Sequence, residues 1–295
     1  YRYANQVRQE RYNYNEAEVT EYLELENVLE DGVFYMAEQM YGLTFERRDD
    51  IPTYHEDVWV YTIFAADGSE LALFYFDPFQ RPSKRGGAWM SSYLPQNYLN
   101  GDKPVILNTL NVPKAPEGEP QLMSWDWVNT AFHEFGHGLH GMFAEQKYPS
   151  LSGTATPRDF VEYPAQVHEM WMKQPEVLQN YAKHYKTGEP MPLELLDRII
   201  EAAKFNQGYD FGEVMEAALL DMKWHSLSAA EAAAIDTPEK VTEFENKALS
   251  ELGLEVDEVP PRYRSTYFNH IFSSPTGYSS GYYSYLWTQM LDHDS

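Results

Sequence analysis

Two histidines four positions apart are the residues of this sequence with the clearest chemistry. Residues 130–140 read TAFHEFGHGLH and contain the pattern H-E-x-x-H, formed by His133, Glu134 and His137. Four residues of an α-helix turn about 400° and rise about 6 Å, so both imidazoles project from one face and can bind one zinc ion. Glu134 can then reach the water that the metal activates, as a general base. The alternative interpretation is that His133 and His137 are two ordinary histidines on a helix surface. We interpret His140 as a packing or hydrogen-bonding histidine.

A catalytic zinc site needs a third protein ligand and an open fourth position. One solution is a third histidine six residues after the second, but that position is Phe143 here. The other common solution is a carboxylate from a second helix, and Glu162 in the segment TPRDFVEYP supplies one. Glu169 lies seven residues further on, on nearly the same helical face, and the pattern alone does not rank the two. We take Glu162 as the ligand and Glu169 as the residue that orients a ligand histidine, with a solvated surface charge as the alternative for Glu169.

The second predicted helix, 157–173, has sequence signals for its start and for a break. Thr156 is a suitable N-cap, and Pro157 suits the first helical position. Pro164 has no amide hydrogen, so it removes one backbone hydrogen bond and predicts a kink just past Glu162. We therefore expect one kinked helix to carry both carboxylates.

The hydrophobic pattern of the whole chain predicts a mainly α-helical protein with a small β-sheet ahead of the catalytic helix, an α+β fold. The predicted helices span 124–143, 157–173, 175–186, 192–203, 211–226, 238–251 and 279–291. The predicted strands are a hairpin at 58–64 and 71–76, followed by strands at 86–93 and 103–110. We expect residues 1–110 to form a helical lead-in with the sheet, and residues 111–295 to form the helical zinc-binding portion of the same catalytic unit.

Composition excludes several classes of protein and of chemistry. The net charge of −24 argues against nucleic acid and anionic membranes as partners, because both would repel the chain. No cysteine is present, which excludes disulfides, thiol nucleophiles and thiolate metal ligands. No apolar run approaches the roughly 20 residues that a membrane-spanning helix needs. The 23 tyrosines suit a site that recognises peptide backbone, although a tyrosine-rich core and surface is the simpler explanation.

Several segments resemble the thimet-oligopeptidase family of zinc peptidases. The resemblance is carried by 132–140, 152–154 and 158–164, which read FHEFGHGLH, SGT and RDFVEYP. In that family the glutamate of F-V-E-x-P is the third zinc ligand, which corresponds to Glu162 here. Within the family, three further segments are similar to the bacterial peptidyl-dipeptidase branch: SKRGGAWM at 83–90, LNTLNVP at 107–113 and TPRD at 156–159. The likeness covers nearly the whole chain and implies a zincin-type catalytic domain.

The end of the chain resembles the substrate-binding loop and following helix of the same family. The matching segments are FNH at 268–270 and GYSSGYYSYLW at 277–287. The resemblance implies that three residues contact substrate or stabilise the developing oxyanion: His270, Tyr278 and Tyr285. It offers Tyr282 as a further substrate-binding residue.

These observations predict a peptidase with one Zn²⁺ per chain that hydrolyses short peptides and releases C-terminal dipeptides. Such a peptidase needs a cation for the terminal carboxylate of its substrate. Arg158, Arg262 and Arg264 are the possible groups, and nothing in the sequence chooses among them; we take Arg158 as the substrate-binding one. The alternatives are an oligopeptidase that cuts internal bonds and, from another class, a non-catalytic peptide- or zinc-binding module.

The family resemblance also bears on the extent and the compartment of the protein. It implies that the chain is a fragment covering the catalytic half of a longer protein. We expect a cytoplasmic location, or a periplasmic one if a signal peptide precedes the fragment. The sequence makes no prediction of the oligomeric state.

Overall fold

The computed structural model of the chain describes residues 2–256, 259–275 and 277–295. Over these residues the α-helices are α1 (Arg2–Tyr12), α2 (Glu16–Thr20), α3 (Leu25–Asn27), α4 (Tyr35–Tyr41), α5 (Trp125–Met142), α6 (Arg158–Val161), α7 (Tyr163–Glu169), α8 (Pro175–Tyr181), α9 (Leu193–Ala202), α10 (Gln207–His225), α11 (Ala229–Ala234), α12 (Pro238–Glu251), α13 (Asn269–Phe272) and α14 (Ser284–Asp294). The strands are β1 (Thr44–Arg47), β2 (Trp59–Phe64), β3 (Glu70–Phe79), β4 (Trp89–Leu94) and β5 (Val105–Val112). A π-helix spans Val28–Phe34, and 3₁₀-helices span Pro149–Leu151, Met170–Lys173 and Ser265–Tyr267. The predicted α+β fold class is confirmed.

The described residues pack into two compact units. The first comprises the chain up to Thr156 together with Tyr163–Ala202, and the second comprises Pro157–Glu162 together with Ala203–Ser295. The first unit contains the whole sheet and the helix with the H-E-x-x-H motif. The division that we predicted at residue 110 separates two portions of one catalytic unit, and it stays a prediction.

The sheet of the first unit is mixed, with the strand order β1-β2-β3-β5-β4. The neighbours β1 and β2, β2 and β3, and β4 and β5 are antiparallel, whereas β3 and β5 are parallel. The predicted hairpin is therefore present as β2 and β3, and the two further predicted strands are present as β4 and β5. Strand β1 was not predicted, because its four residues, TFER, show no clear alternation of apolar and polar side chains.

The core of the first unit lies between the sheet and α5. Phe132 and Phe135 of α5 are buried, and the Phe135 ring meets the Phe74 ring of β3 edge-on at 5.4 Å between centroids. Phe34 of the π-helix packs on the Phe135 ring at 5.7 Å between centroids. Edge-to-face pairs of this kind add to the stabilisation from burying the rings. The aromatic face of α5 is thus packed against the sheet.

The predicted helix at 157–173 is three pieces in the structure: α6, α7 and a 3₁₀-helix. Pro157 occupies the N-cap position of α6 with no side-chain capping hydrogen bond, so the prediction of Thr156 as the cap was wrong. Pro157 has an extended ψ of 142°, and the helix therefore begins one residue later than expected. The break at Glu162, between α6 and α7, agrees with the missing amide hydrogen of Pro164.

The second unit is helical, and its core is largely aromatic. Buried Phe268 and Tyr282 pack edge to face at 5.0 Å between ring centroids. The predicted last helix begins later than expected, at Ser284, because Ser280 has a left-handed φ of 55° that no α-helix accommodates. Helix α11 was not predicted, although Ser228 and Glu231 form the capping box that marks its start.

None of the helices within the described ranges is both long enough and apolar enough to cross a membrane.

Candidate metal centre

Helix α5 presents the two motif histidines on one face. Ser124 caps the helix, and its Oγ accepts a hydrogen bond from the Trp127 amide at 3.3 Å. The rings of His133 and His137 lie 4.8 Å apart between centroids, with their planes at 86°. This is the arrangement that the four-residue spacing predicts for a helix.

A close crossing of α5 and α7 depends on Gly136, which lies between the two histidines in sequence. A Cβ atom at Gly136 would lie 2.7 Å from the Cα of Ala165 and 2.8 Å from the carbonyl oxygen of Pro164. Both distances are shorter than a non-bonded carbon contact allows, so only glycine permits this approach. The crossing holds α7 directly against the motif helix.

The end of α7 supplies a hydrogen-bond partner for the first histidine. The Nδ1 atom of His133 lies 2.7 Å from Oε1 of Glu169, and both side chains are partly buried. A carboxylate at Nδ1 favours the tautomer with its proton on that atom and leaves Nε2 as the lone-pair donor. A histidine held in this way is oriented for metal binding.

Glu162 completes a set of three ligand-type side chains. It is buried and precedes α7 by one peptide bond. One ligand atom from each of His133, His137 and Glu162 can be chosen so that all three lie within 4.8 Å of one another. Two imidazole nitrogens and one carboxylate oxygen are a donor set that catalytic zinc sites use. These residues therefore fit a divalent metal ion, and the set is the one predicted from the sequence.

Glu134 and His140 lie on the same helix as the two histidines. Glu134 is buried in α5, next to His133 in sequence. Burial lowers the pKa of His140 below its ordinary value of 6.5, which keeps its ring neutral at neutral pH. A neutral ring agrees with the packing or hydrogen-bonding role that we predicted for His140.

In the second unit, the hydroxyl of Tyr278 donates a hydrogen bond to a carboxylate oxygen of Glu162. Burial, and then the charge of Glu162, raise the pKa of Tyr278 well above its ordinary value, so the phenol stays protonated at neutral pH. The guanidinium of Arg158 lies 4.9 Å from the centre of the Tyr278 ring, a cation–π distance. Tyr278 thus contacts both Glu162 and Arg158.

Three more aromatic residues surround Tyr278 within the second unit. The ring of Tyr285 stacks on it at 5.4 Å between centroids, and the ring of His270 lies at 5.9 Å. Tyr282 is buried in the same cluster, 6.3 Å from Tyr278. Burial raises the pKa of Tyr285 and lowers that of His270, so both side chains are neutral at neutral pH. The structure therefore brings the four residues of the predicted substrate-binding loop together.

The three arginines that we considered for a substrate carboxylate differ in their surroundings. Arg264 bonds through its Nε to Glu245, a buried carboxylate. Arg262 lies 3.8 Å from a carboxylate oxygen of Glu213 and contacts the ring of the tyrosine that follows it. Of the three, Arg158 is the arginine that contacts Tyr278.

Two residues that shape these arrangements were not predicted. Gly136 was visible within the motif, but its role depends on a helix crossing that the motif does not encode. Asp221, on α10, is buried and accepts hydrogen bonds from the amides of Ser280 and Tyr282. Its partners are 59 and 61 residues away in sequence, so no local pattern points to it.

A helix with H-E-x-x-H and a glutamate from a second helix define a class of metallopeptidases. The chain belongs to this class and, within it, to peptidase family M3, whose profile matches residues 1–295. The predicted family resemblance is confirmed.

Curated relatives are similar to nearly the whole chain. The chain is 52% identical to the dipeptidyl carboxypeptidase of Salmonella typhimurium over 292 residues, which are 99% of this chain and 42% of that protein. It is 51% identical to the dipeptidyl carboxypeptidase of Escherichia coli, with the same coverage of both proteins. It is 34% identical to oligopeptidase A of Escherichia coli over 300 residues, again 99% of this chain and 42% of that protein. The chain therefore spans 42% of the length of these relatives.

Proposed function

We propose that this chain is the metal-binding catalytic portion of a zinc peptidase that releases C-terminal dipeptides from short peptides. The observation that carries the proposal is the grouping of His133, His137 and Glu162, with ligand atoms within 4.8 Å, in a member of peptidase family M3. The names of the two relatives at 52% and 51% identity support dipeptide release as the form of the activity. A cytoplasmic location stays a prediction.

His133, His137 and Glu162 are the residues that would hold the metal, and their nitrogen and oxygen donors favour zinc. When bound, zinc polarises a carbonyl oxygen and acidifies a water molecule. Glu169 keeps the His133 ring in position through its hydrogen bond at 2.7 Å. Glu134 takes the proton of the attacking water and passes it to the leaving amine.

Neutral hydrogen-bond donors are suited to the oxyanion that develops when water attacks an amide carbonyl. The phenols of Tyr278 and Tyr285 stay protonated because burial raises the pKa of both groups. His270 stays neutral because burial lowers its pKa, and a neutral imidazole still has one N–H group to donate. We assign oxyanion stabilisation to these three residues.

We assign the binding of the substrate's terminal carboxylate to Arg158, and a further substrate-binding role to Tyr282. Arg158 contacts Tyr278, which in turn bonds to the proposed ligand Glu162, so its cation lies close to the proposed site. The buried pair with Glu245 makes Arg264 a poorer candidate for this role. A guanidinium can bind a carboxylate through two parallel hydrogen bonds.

The change Glu134→Gln tests the chemistry most directly, because it removes the base and keeps the size of the side chain. We expect the variant to retain its metal and to lose about 10³-fold or more in kcat/KM on a short peptide. The matched control is Glu145→Gln, which alters an exposed carboxylate just beyond the same helix and leaves hydrolysis unchanged. Normal hydrolysis by Glu134→Gln would show that the base is assigned to the wrong residue.

Internal cleavage of short peptides is the second candidate function. It is favoured by the 34% identity to a protein named oligopeptidase A. A non-catalytic peptide-binding module is a third possibility from the sequence, and the burial of an acid beside the metal ligands speaks against it, since binding alone needs no base. Such a module would bind peptides and zinc without hydrolysing them.

A further inference from the structure

A buried carboxylate lies behind the turn that carries Tyr278 and Tyr282. Asp221, on α10, is 1% exposed. Its Oδ1 accepts a hydrogen bond from the Ser280 amide at 2.9 Å, and its Oδ2 accepts one from the Tyr282 amide at 2.9 Å. Burying a charge is costly unless hydrogen bonds compensate for the lost water. Both oxygens of this carboxylate are compensated by backbone amides of one turn.

The turn contains one residue with an unfavourable backbone conformation. Ser280 has a φ of 55°, a left-handed value that residues with a side chain rarely adopt. Within the turn, the Gly281 amide donates to the carbonyl of Tyr278 at 2.8 Å. The Ser280 amide bonds outside the turn, to Asp221, so the carboxylate stabilises a residue with an unfavourable backbone conformation.

His225 lies beside the carboxylate. It lies one helical turn after Asp221 on α10, and its Nδ1 is 2.7 Å from Oδ1 of Asp221. The side chain of Asp221 is 1% exposed and that of His225 is 24% exposed, so the pair runs from the interior of the unit towards its surface. The same Nδ1 lies 3.0 Å from the backbone carbonyl oxygen of Asp221, which accepts its hydrogen bond, so the donors that hold the carboxylate are the amides of Ser280 and Tyr282.

We propose that Asp221 is a positioning residue, which fixes the turn at 278–282 so that the hydroxyl of Tyr278 reaches Glu162. The proposal rests on the proposed function, in which Tyr278 is an oxyanion donor and Glu162 a metal ligand. Asp221 acts through the amides of Ser280 and Tyr282, which follow Tyr278 in this turn.

The change Asp221→Asn tests this inference in the metal-loaded protein. An asparagine has one oxygen where the aspartate has two, so one of the two amide hydrogen bonds is lost whichever way the side chain faces. We expect faster amide hydrogen exchange across residues 277–285, together with a fall in kcat of about 10-fold to 100-fold. We expect the metal content to stay as in the wild type.

The matched control is Glu245→Gln in the same unit. Glu245 is 2% exposed and accepts hydrogen bonds from the Ser265 amide at 2.6 Å and the Ser265 hydroxyl at 2.8 Å. Glu245, which also pairs with Arg264, is therefore a buried carboxylate that supports a different loop. We expect this variant to lose stability while the exchange of residues 277–285 and the kcat stay as in the wild type.

A double variant separates positioning from a general loss of stability. If Asp221 acts through Tyr278, Asp221→Asn lowers kcat far less in a protein that already carries Tyr278→Phe. Two effects that multiply independently would overturn the inference, and so would unchanged exchange of residues 277–285 in Asp221→Asn. If Asp221→Asn fails to fold, Asp221→Glu replaces it, because it keeps the charge but displaces both acceptor oxygens by one methylene group. The same changes are expected, and unchanged exchange with an unchanged kcat contradicts the inference.

The two proposals fail in different ways. A metal-loaded wild-type protein that hydrolyses no peptide contradicts the proposed function. The exchange measurement does not depend on catalysis, so it still decides whether Asp221 holds the turn. Normal hydrolysis by the wild type with an unchanged kcat in Asp221→Asn contradicts the positioning role alone.

Discussion

At the scale of single residues, the hydrogen bond between Glu169 and His133 affects how tightly a metal would be bound. The carboxylate oxygen lies 2.7 Å from Nδ1, the ring atom that does not face the metal when Nε2 is the ligand. Without the carboxylate, the ring would sample other orientations and its Nε2 would be a weaker base. The metal would then dissociate more readily.

We expect Glu169→Ala to weaken metal binding by about 10-fold to 100-fold, as other losses of a histidine's carboxylate partner do. Competition with a chromophoric chelator measures the affinity. Glu176→Ala, at an exposed position in the first turn of α8, is the control and should bind metal like the wild type. Equal affinities for all three proteins would mean that Glu169 is an ordinary helix charge.

At the scale of elements, the crossing of α5 and α7 determines where Glu169 lies. Helix α7 ends at Glu169, so any displacement of this short helix moves the carboxylate away from His133. The crossing has no room for a side chain at Gly136, where a Cβ would lie 2.7 Å from Ala165. The position of Glu169 beside His133 therefore depends on a glycine that has no side chain to bind a ligand.

We expect Gly136→Ala to lower the free energy of unfolding by about 1–3 kcal/mol, the usual cost of overpacking, and to weaken metal binding. Gly138→Ala is a matched control two residues away in the same helix, because its Cβ would meet atoms no closer than 3.5 Å. Alanine favours the helix over glycine by about 0.5–1 kcal/mol, so the control should be neutral or stabilising. Thermal unfolding and chelator competition measure both effects. Equal stability of the two variants would contradict the close crossing.

The elements that the sequence predicted well are those with a strong local pattern. Helix α5 was expected at 124–143 and spans Trp125–Met142, because an apolar face and a capping serine mark it clearly. The last helix was expected from 279 but begins at Ser284, because nothing in the sequence indicates that Ser280 adopts a left-handed backbone. Local signals predict regular structure, whereas a turn held by a distant residue leaves no local signal.

The same distinction applies to the candidate site. The spacing of His133 and His137 encodes a helical face, so their proximity could be predicted from two positions alone. The role of Glu162 came from a family resemblance, since spacing did not rank it above Glu169. The support from Asp221 could not be predicted, because its hydrogen bonds join positions 59 and 61 residues apart. The catalytic roles assigned to these residues stay predictions.

At the scale of the whole molecule, the chain spans 42% of the length of its similar relatives, and their activities are proposals for the protein that contains it. Dipeptide release and internal cleavage use the same chemistry at the scissile bond. They differ in whether the terminal carboxylate of the substrate is bound, which we assign to Arg158. The substrate itself therefore discriminates between the two activities.

We expect a short peptide with a free C-terminal carboxylate to lose a dipeptide, and the same peptide with a C-terminal amide to be cleaved at least about 10-fold more slowly, since one charge-assisted contact is lost. Mass spectrometry of the products measures both the rate and the position of the cut. Cleavage of the amidated peptide at an equal rate, at internal bonds, would favour the oligopeptidase.

Metal content tests the central claim most directly, because every assigned role depends on an ion held by His133, His137 and Glu162. Elemental analysis of the purified protein should find about one zinc per chain, the stoichiometry of a single catalytic site. The double variant His133→Ala, His137→Ala should lose it, while the control His55→Ala, His293→Ala, which alters two histidines outside the group, should keep it. Zinc retained in full by the first double variant, or absent from the wild type, would contradict the account.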